Sequence, residues 1–126
     1  MEKPKNKGGL GKINIKLIGD LGAKISKKYN FYDENLGHNM RGTVIIDPEG
    51  IIKHVSMTHP NVGRNVNEVL RLVKAFQFSE KHKKVCPAQW EEGKDAINPN
   101  LKDSKEYFEK NYKTSFKSQA NFGNEI

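Results

Sequence analysis

Cysteine and tryptophan are almost absent from this chain: each occurs once, as Cys86 and Trp90. A single cysteine cannot form a disulfide within the chain, so a small disulfide-stabilised scaffold is excluded, although a disulfide with another chain stays possible. The four histidines have no spacing typical of metal ligands. Without a second cysteine we expect no structural zinc site, and we expect no cofactor.

Apolar residues are also scarce, at 35% of the 126 residues. This length and composition predict one modest domain with a small core. No apolar run approaches the length of a membrane span, so we expect no membrane partner. Residues 1–7 lack the apolar segment of a secretory signal, which favours a cytoplasmic location; the alternative is a targeting segment in a missing N-terminal region.

The formal net charge is +7, which permits loose attraction to nucleic acids or anionic surfaces. The lysines are scattered, however, and no nucleic-acid-binding motif accompanies them. We interpret the charge as a solvated surface and keep a basic nucleic-acid-binding module as the weakest alternative.

Local patterns predict a small α/β arrangement. Residues 13–18 alternate and then turn apolar, which predicts a short strand, and Asp20 is placed to cap a helix over 21–29. The β-branched run 43–46, a turn at 47–50 and the strand 51–56 predict an antiparallel hairpin.

A helix is predicted to begin at Asn65, because Glu68 follows three residues later as in a capping box. Its apolar stripe should pack on the hairpin. Periodicity disappears after Phe78, and a last short helix is predicted near Tyr107 and Phe108.

Cys86 is the residue with the clearest chemical potential, because a thiolate is a nucleophile near neutral pH. Pro87 biases it toward an extended backbone. The polar flank 79–84 favours an accessible site, and its lysines favour a thiolate. The alternative is a small buried apolar side chain. Two interpretations of Arg41 are equally favoured by the sequence: it could stabilise an anion, or it could be an ordinary loop arginine.

Six segments resemble motifs of the typical two-cysteine peroxiredoxins, the thioredoxin-dependent peroxide reductases. In the order and spacing of that family they are 8–11 (GGLG), 40–47 (MRGTVIID), 62–71 (VGRNVNEVLR), 75–78 (AFQF), 85–90 (VCPAQW) and 105–108 (KEYF).

The resemblance implies an α/β fold: a partial thioredoxin-like peroxiredoxin fold that lacks its N-terminal half and has an extended C-terminal arm. Residues 1–78 would be the C-terminal part of the thioredoxin-like domain. Residues 79–108 would be the resolving-cysteine arm and C-terminal helix, and 109–126 a disordered tail.

The resemblance also implies residue roles. Cys86 would be the resolving cysteine, which forms an intersubunit disulfide in a homodimer or higher oligomer that thioredoxin then reduces. Arg41 would stabilise the peroxidatic thiolate and the peroxide. Sensitivity to over-oxidation would involve the GGLG loop and the C-terminal helix, through Gly8, Gly9, Leu10, Gly11, Tyr107 and Phe108.

The peroxidatic cysteine of the family has no counterpart in these residues. We therefore expect this chain alone to be inactive as a peroxidase and interpret it as a fragment of one. The alternative is a non-catalytic, truncated paralogue that pairs through Cys86 with a complete peroxiredoxin.

Overall fold

The structure, a computed structural model, describes residues 3–112. Within that range no helix is long and apolar enough to cross a membrane. The chain divides into two compact units. Among the described residues, the first contains 3–42 and Met57–Asn61, and the second contains Thr43–Ser56 and 62–112.

The first unit begins with a 3₁₀ turn, Lys5–Lys7, that leads into the GGLG loop. Gly8 and Gly11 have φ angles of +74° and +65°, which favour glycine. The N–H of Gly11 donates to the carbonyl of Lys3 at 3.0 Å, and a Cβ on Gly9 would lie 1.9 Å from that oxygen. The loop is thus folded closely against the preceding residues.

The strand predicted over 13–18 is absent, and this prediction is wrong. Ile15, Leu17 and Ile18 are 66–78% exposed. A strand requires a neighbour to complete its hydrogen bonds, and no described segment pairs with this one.

The first α-helix, α1, spans Lys24–Lys28 and is shorter than the predicted 21–29. Ala23 precedes it with a left-handed φ of 54°, which prevents an earlier start. The Asp20 carboxylate nevertheless acts on this helix, accepting from the N–H and Oγ of Ser26 at 2.8 and 2.6 Å. The prediction that Asp20 caps this helix is therefore confirmed, although Asp20 lies four residues before Lys24 instead of directly before the helix.

A short antiparallel ladder follows. β1 (Tyr32–Asp33) pairs with β2 (His38–Asn39), and Asp33 lies opposite His38. The Asp33 carboxylate closes the turn by accepting the N–H of Asn35 at 2.8 Å.

The predicted hairpin is confirmed as β3 (Arg41–Ile46) and β4 (Ile52–Thr58). The Asp47 carboxylate accepts the N–H of Ile51 at 2.7 Å and pairs with the Lys53 ammonium at 2.9 Å. The turn is thus closed by the side chain that begins it.

The helix predicted at Asn65 is also confirmed, as α2 (Val66–His82). The Asn65 side chain accepts the N–H of Glu68 at 3.2 Å. The helix ends at His82, and the C-cap residue that follows, Lys83, has a left-handed φ of 53°.

Helix α2 lies against the hairpin, as predicted. Ile45 from β3 lines a cavity of about 220 Å³ together with Val73 and Phe76 from α2. The Lys53 ammonium on β4 lies 3.8 Å from the Glu80 carboxylate on the helix. The contact therefore combines an apolar interior with charged edges.

After α2 the chain forms an arm, defined here as residues 84–100, and then a third helix, α3 (Leu101–Tyr112). An antiparallel bridge joins Val85 to Ile97 at the two ends of the arm. The last predicted helix is confirmed and is longer than expected. It includes residues 109–112, which were predicted to begin a disordered tail, and 113–126 lie outside the described residues.

Candidate functional site

Cys86 lies in the arm directly after the bridge residue Val85, outside the helices and strands. This location agrees with the effect expected of Pro87. The side chain is half-buried, and its thiol donates to the carbonyl of Ala75 on α2 at 3.5 Å. The thiol therefore lies against the helix and is neither fully buried nor freely exposed.

Burial raises the pKa of the Cys86 thiol above its ordinary value, and the positive charge of Arg71 lowers it only in part. The prediction that nearby lysines favour a thiolate is therefore wrong in its direction. Burial of the thiol and the charge of Arg71 shift this pKa, and no lysine of the flank is among its causes.

Arg71 is a site residue that the sequence interpretation missed. Its Nε and Nη2 donate to the two carboxylate oxygens of Glu68 at 2.6 and 2.7 Å, and its Nη1 donates to the carbonyl of Trp90 at 3.0 Å. The spacing of three residues between Glu68 and Arg71 could have indicated the ion pair. No pattern in the neighbouring sequence could have indicated the contact with Trp90, which lies 19 residues further along the chain.

Trp90 holds the arm to α2. Its side chain is 1% exposed and is the one fully buried side chain among the described residues. The indole packs on the Phe78 ring, and its Nε1 donates to the carbonyl of Lys94 at 3.2 Å. A second link is the ion pair between Lys74 on α2 and Glu92 on the arm, at 2.6 Å. Cys86 is thus presented by a segment attached at several points.

The other side of the arm faces α3. A cavity of about 480 Å³ is lined by Trp90 and its neighbours in the arm and by Tyr107 from α3. Burial raises the pKa of Tyr107, and Lys110 forms an ion pair with Asp95. Phe108 is 49% exposed and packs edge-on against Tyr107. Of the predicted pair, Tyr107 is therefore the residue that meets the arm.

Arg41 begins β3 and is exposed, with its Nε donating to the carbonyl of Pro60 at 2.7 Å. It belongs to the first unit together with the GGLG loop, whereas Cys86 and Tyr107 belong to the second. The predicted residues are therefore distributed over both units.

Asp47, Glu49 and Glu80 form a group of carboxylates whose oxygens lie within 4.8 Å of one another. Asp47 already pairs with Lys53 and accepts the N–H of Ile51. The Asp47 carboxylate therefore serves to close the turn.

Two family models match the chain. Residues 1–55 match the AhpC/TSA family, and residues 75–115 match the C-terminal domain of 1-Cys peroxiredoxin.

Curated relatives agree with these matches. The mitochondrial thioredoxin-dependent peroxide reductase of Rattus norvegicus is 52% identical over 107 residues, which cover 85% of this chain and 42% of the relative. Peroxiredoxin-4 of Bos taurus is 48% identical over the same length, covering 85% of this chain and 39% of the relative. The chain thus spans about half the length, or less, of these relatives.

Solved structures are similar as well. The reduced 2-Cys peroxiredoxin of Plasmodium vivax superposes with a TM-score of 0.79 at 37% identity, covering 84% of this chain and 54% of that one. The mitochondrial 2-Cys peroxiredoxin of Plasmodium falciparum gives a TM-score of 0.62 at 36% identity, covering 68% of this chain and 50% of that one.

The fold is thus a portion of the thioredoxin-like fold of antioxidant peroxidases, and it carries one half-buried thiol on its arm. The chain belongs to the peroxiredoxin family, as the sequence motifs predict.

Proposed function

We propose that this chain supplies the resolving half of a thioredoxin-dependent peroxide reductase, with Cys86 as the resolving cysteine. The observation that carries the proposal is the location of Cys86. It lies on an arm, outside the hairpin and the helices, that is attached to α2 by side-chain and main-chain contacts. Such a segment can present its thiol to a second protein without unfolding the hairpin or α2.

In the proposed step the Cys86 thiolate attacks the sulfur of a sulfenic acid, formed when a peroxide oxidises another cysteine. An S–S bond forms, the S–O bond breaks, and hydroxide leaves and is protonated to water. Thioredoxin then reduces the disulfide by exchange, so its dithiol becomes a disulfide and both protein thiols are regenerated.

The peroxide-reactive cysteine has to come from outside these 126 residues, because they contain one cysteine. Cys86 is not suited to that role, since its pKa is raised and peroxide is attacked by the thiolate. A raised pKa is compatible with a resolving thiol, which meets an already activated sulfur. We therefore propose that the isolated chain has no peroxidase turnover.

Arg41 is proposed to stabilise the peroxide-reactive thiolate when the rest of the active site is present. Its exposed guanidinium uses Nε to bind Pro60, and a guanidinium has further N–H donors in the same plane. By resemblance to the family, the GGLG loop, Tyr107 and Phe108 are proposed to influence how readily the sulfenic acid is over-oxidised.

The direct test is disulfide formation with a two-cysteine peroxiredoxin whose own resolving cysteine has been replaced by serine. The two proteins are mixed, one equivalent of hydrogen peroxide is added, and the products are analysed by non-reducing mass spectrometry. We expect a covalent heterodimer that thioredoxin, its reductase and NADPH convert back to monomers.

The controls are one single and one double variant of this chain. Cys86→Ser should abolish the heterodimer. The double variant Cys86→Ser, Ser56→Cys places a thiol at an exposed position on β4 and should restore little of it. Equal yields from wild type and the double variant would show unspecific thiol capture and overturn the proposed role of Cys86.

A further inference from the structure

The Arg71 guanidinium connects α2 to the arm through all three of its nitrogens. Two of them bind the carboxylate of Glu68 in a fork, and the third binds the main-chain carbonyl of Trp90. The Arg71 side chain is 25% exposed, so water screens its charge less than that of an extended lysine. Its position is therefore determined by the fold and not by a flexible surface rotamer.

We propose that Arg71 is a positioning residue for Cys86: oriented by Glu68, it fixes the arm at Trp90 and provides the positive charge that the docked thiol experiences. This inference rests on the proposed function, because it assigns to Arg71 the control of the resolving thiol.

The other charged groups around Arg71 limit this effect. Glu68, which binds Arg71 directly, raises the pKa of that guanidinium, and Glu91 on the arm acts in the same direction. His54 on β4 acts on Glu68 and contributes to the lowered pKa of its carboxyl, after the larger contribution of Arg71. Each carboxylate near Arg71 therefore offsets part of the positive charge available to Cys86.

A second observation supports the same assignment. The Cys86 thiol donates to the carbonyl of Ala75, one turn of α2 beyond Arg71, so the thiol and the Trp90 carbonyl are two of the points at which the arm contacts this helix. By holding the Trp90 carbonyl, the Arg71 guanidinium thereby helps to determine where the Cys86 thiol lies.

The test is the pH profile of Cys86 alkylation by iodoacetamide, measured on the full 126-residue chain. For Arg71→Gln we expect the midpoint to rise by about half a pH unit, which lowers the rate at pH 7 about threefold. For Glu68→Gln we expect a shift in the opposite direction, since the guanidinium loses its counter-charge. Arg71→Lys keeps the charge and should leave the midpoint near that of wild type.

A merely structural role for Arg71 predicts a different result. The Phe78–Trp90 ring contact and the Lys74–Glu92 ion pair still hold the arm to α2 in Arg71→Gln, so the loss of charge should outweigh any loosening of the arm. If Arg71→Gln instead releases the arm, Cys86 becomes hydrated and the midpoint falls toward the ordinary cysteine value, and Arg71→Lys behaves in the same way. An unchanged or lower midpoint in Arg71→Gln would thus overturn the proposal. If Arg71→Gln does not fold, as judged by circular dichroism, an unchanged or higher midpoint in Glu68→Gln overturns it instead.

This experiment requires no partner protein, so its outcome is independent of whether Cys86 forms the heterodimer. A chain that fails the disulfide test and still shows the opposite shifts would retain the Arg71 effect and lose the resolving role.

Discussion

The indole of Trp90 packs on the ring of Phe78, with 4.7 Å between the ring centroids and 41° between the planes. Phe78 belongs to α2 and Trp90, which is 1% exposed, to the arm, so the contact joins the helix to the arm. The position of Cys86 therefore depends on an aromatic pair in which one member is fully buried.

We expect Trp90→Ala to cost about 3–5 kcal/mol, as is typical when a buried aromatic side chain is truncated. The arm should then leave α2, and Cys86 should be alkylated faster at a fixed pH. Urea unfolding, monitored by circular dichroism, measures the loss of stability. The alkylation rate of Cys86 measures the release of the arm. Trp90→Phe is the matched control: it should lose less free energy of unfolding and increase the alkylation rate of Cys86 less. Unchanged alkylation in Trp90→Ala would contradict the anchoring role.

The N-terminus of α2 offers a second test. Asn65→Ala removes the side chain that accepts the N–H of Glu68 and should lower the free energy of unfolding by about 1 kcal/mol. Asn65→Asp retains an acceptor at the same position and should be close to wild type. Equal losses in both variants, measured by urea denaturation, would argue against capping by this side chain.

The hairpin should be sensitive to acid through Asp47, whose side chain is 7% exposed. Burial would raise the pKa of Asp47, but the bond from the Ile51 N–H and the pairing with Lys53 outweigh it, so the pKa is lowered. Because the folded-state pKa lies below the unfolded value of about 4, the carboxylate stabilises the fold above that pH. This contribution is lost as the pH falls through the folded-state pKa.

Urea midpoints measured from pH 6 to pH 3 test this prediction. Asp47→Asn should reduce the decline in stability at acidic pH, since the titrating group is gone. Lys53→Gln keeps the bond to Ile51 and should give an intermediate decline. A full decline in Asp47→Asn would assign the acid sensitivity to other groups.

A fourth prediction concerns the first unit. A Cβ on Gly42 would lie 2.3 Å from the ring carbons of Phe31, so Gly42→Ala should force a shift and cost about 1–3 kcal/mol. Gly63→Ala is the control, because nothing lies within 4 Å of its Cβ position. Thermal unfolding should separate the two variants, and equal melting temperatures would mean that the ring moves aside freely.

Local sequence determined the features that depend on neighbouring residues. The β-branched run and its turn produce the hairpin, Asn65 caps the start of α2, and Cys86, which precedes Pro87, lies outside the helices. The ordered motifs also identified the family. Propensity, capping and turn closure act over a few residues, so they can be predicted without knowledge of the fold.

Only the tertiary structure decided the remaining features. Residues 13–18 have the composition of a strand and form none in the described chain, because pairing needs a neighbour. The lysines beside Cys86 suggested a thiolate, yet burial raises its pKa. Desolvation and the charge of Arg71 determine that pKa, and both depend on where the arm lies on α2. Sequence alone therefore identified the thiol, and its chemical state followed from packing.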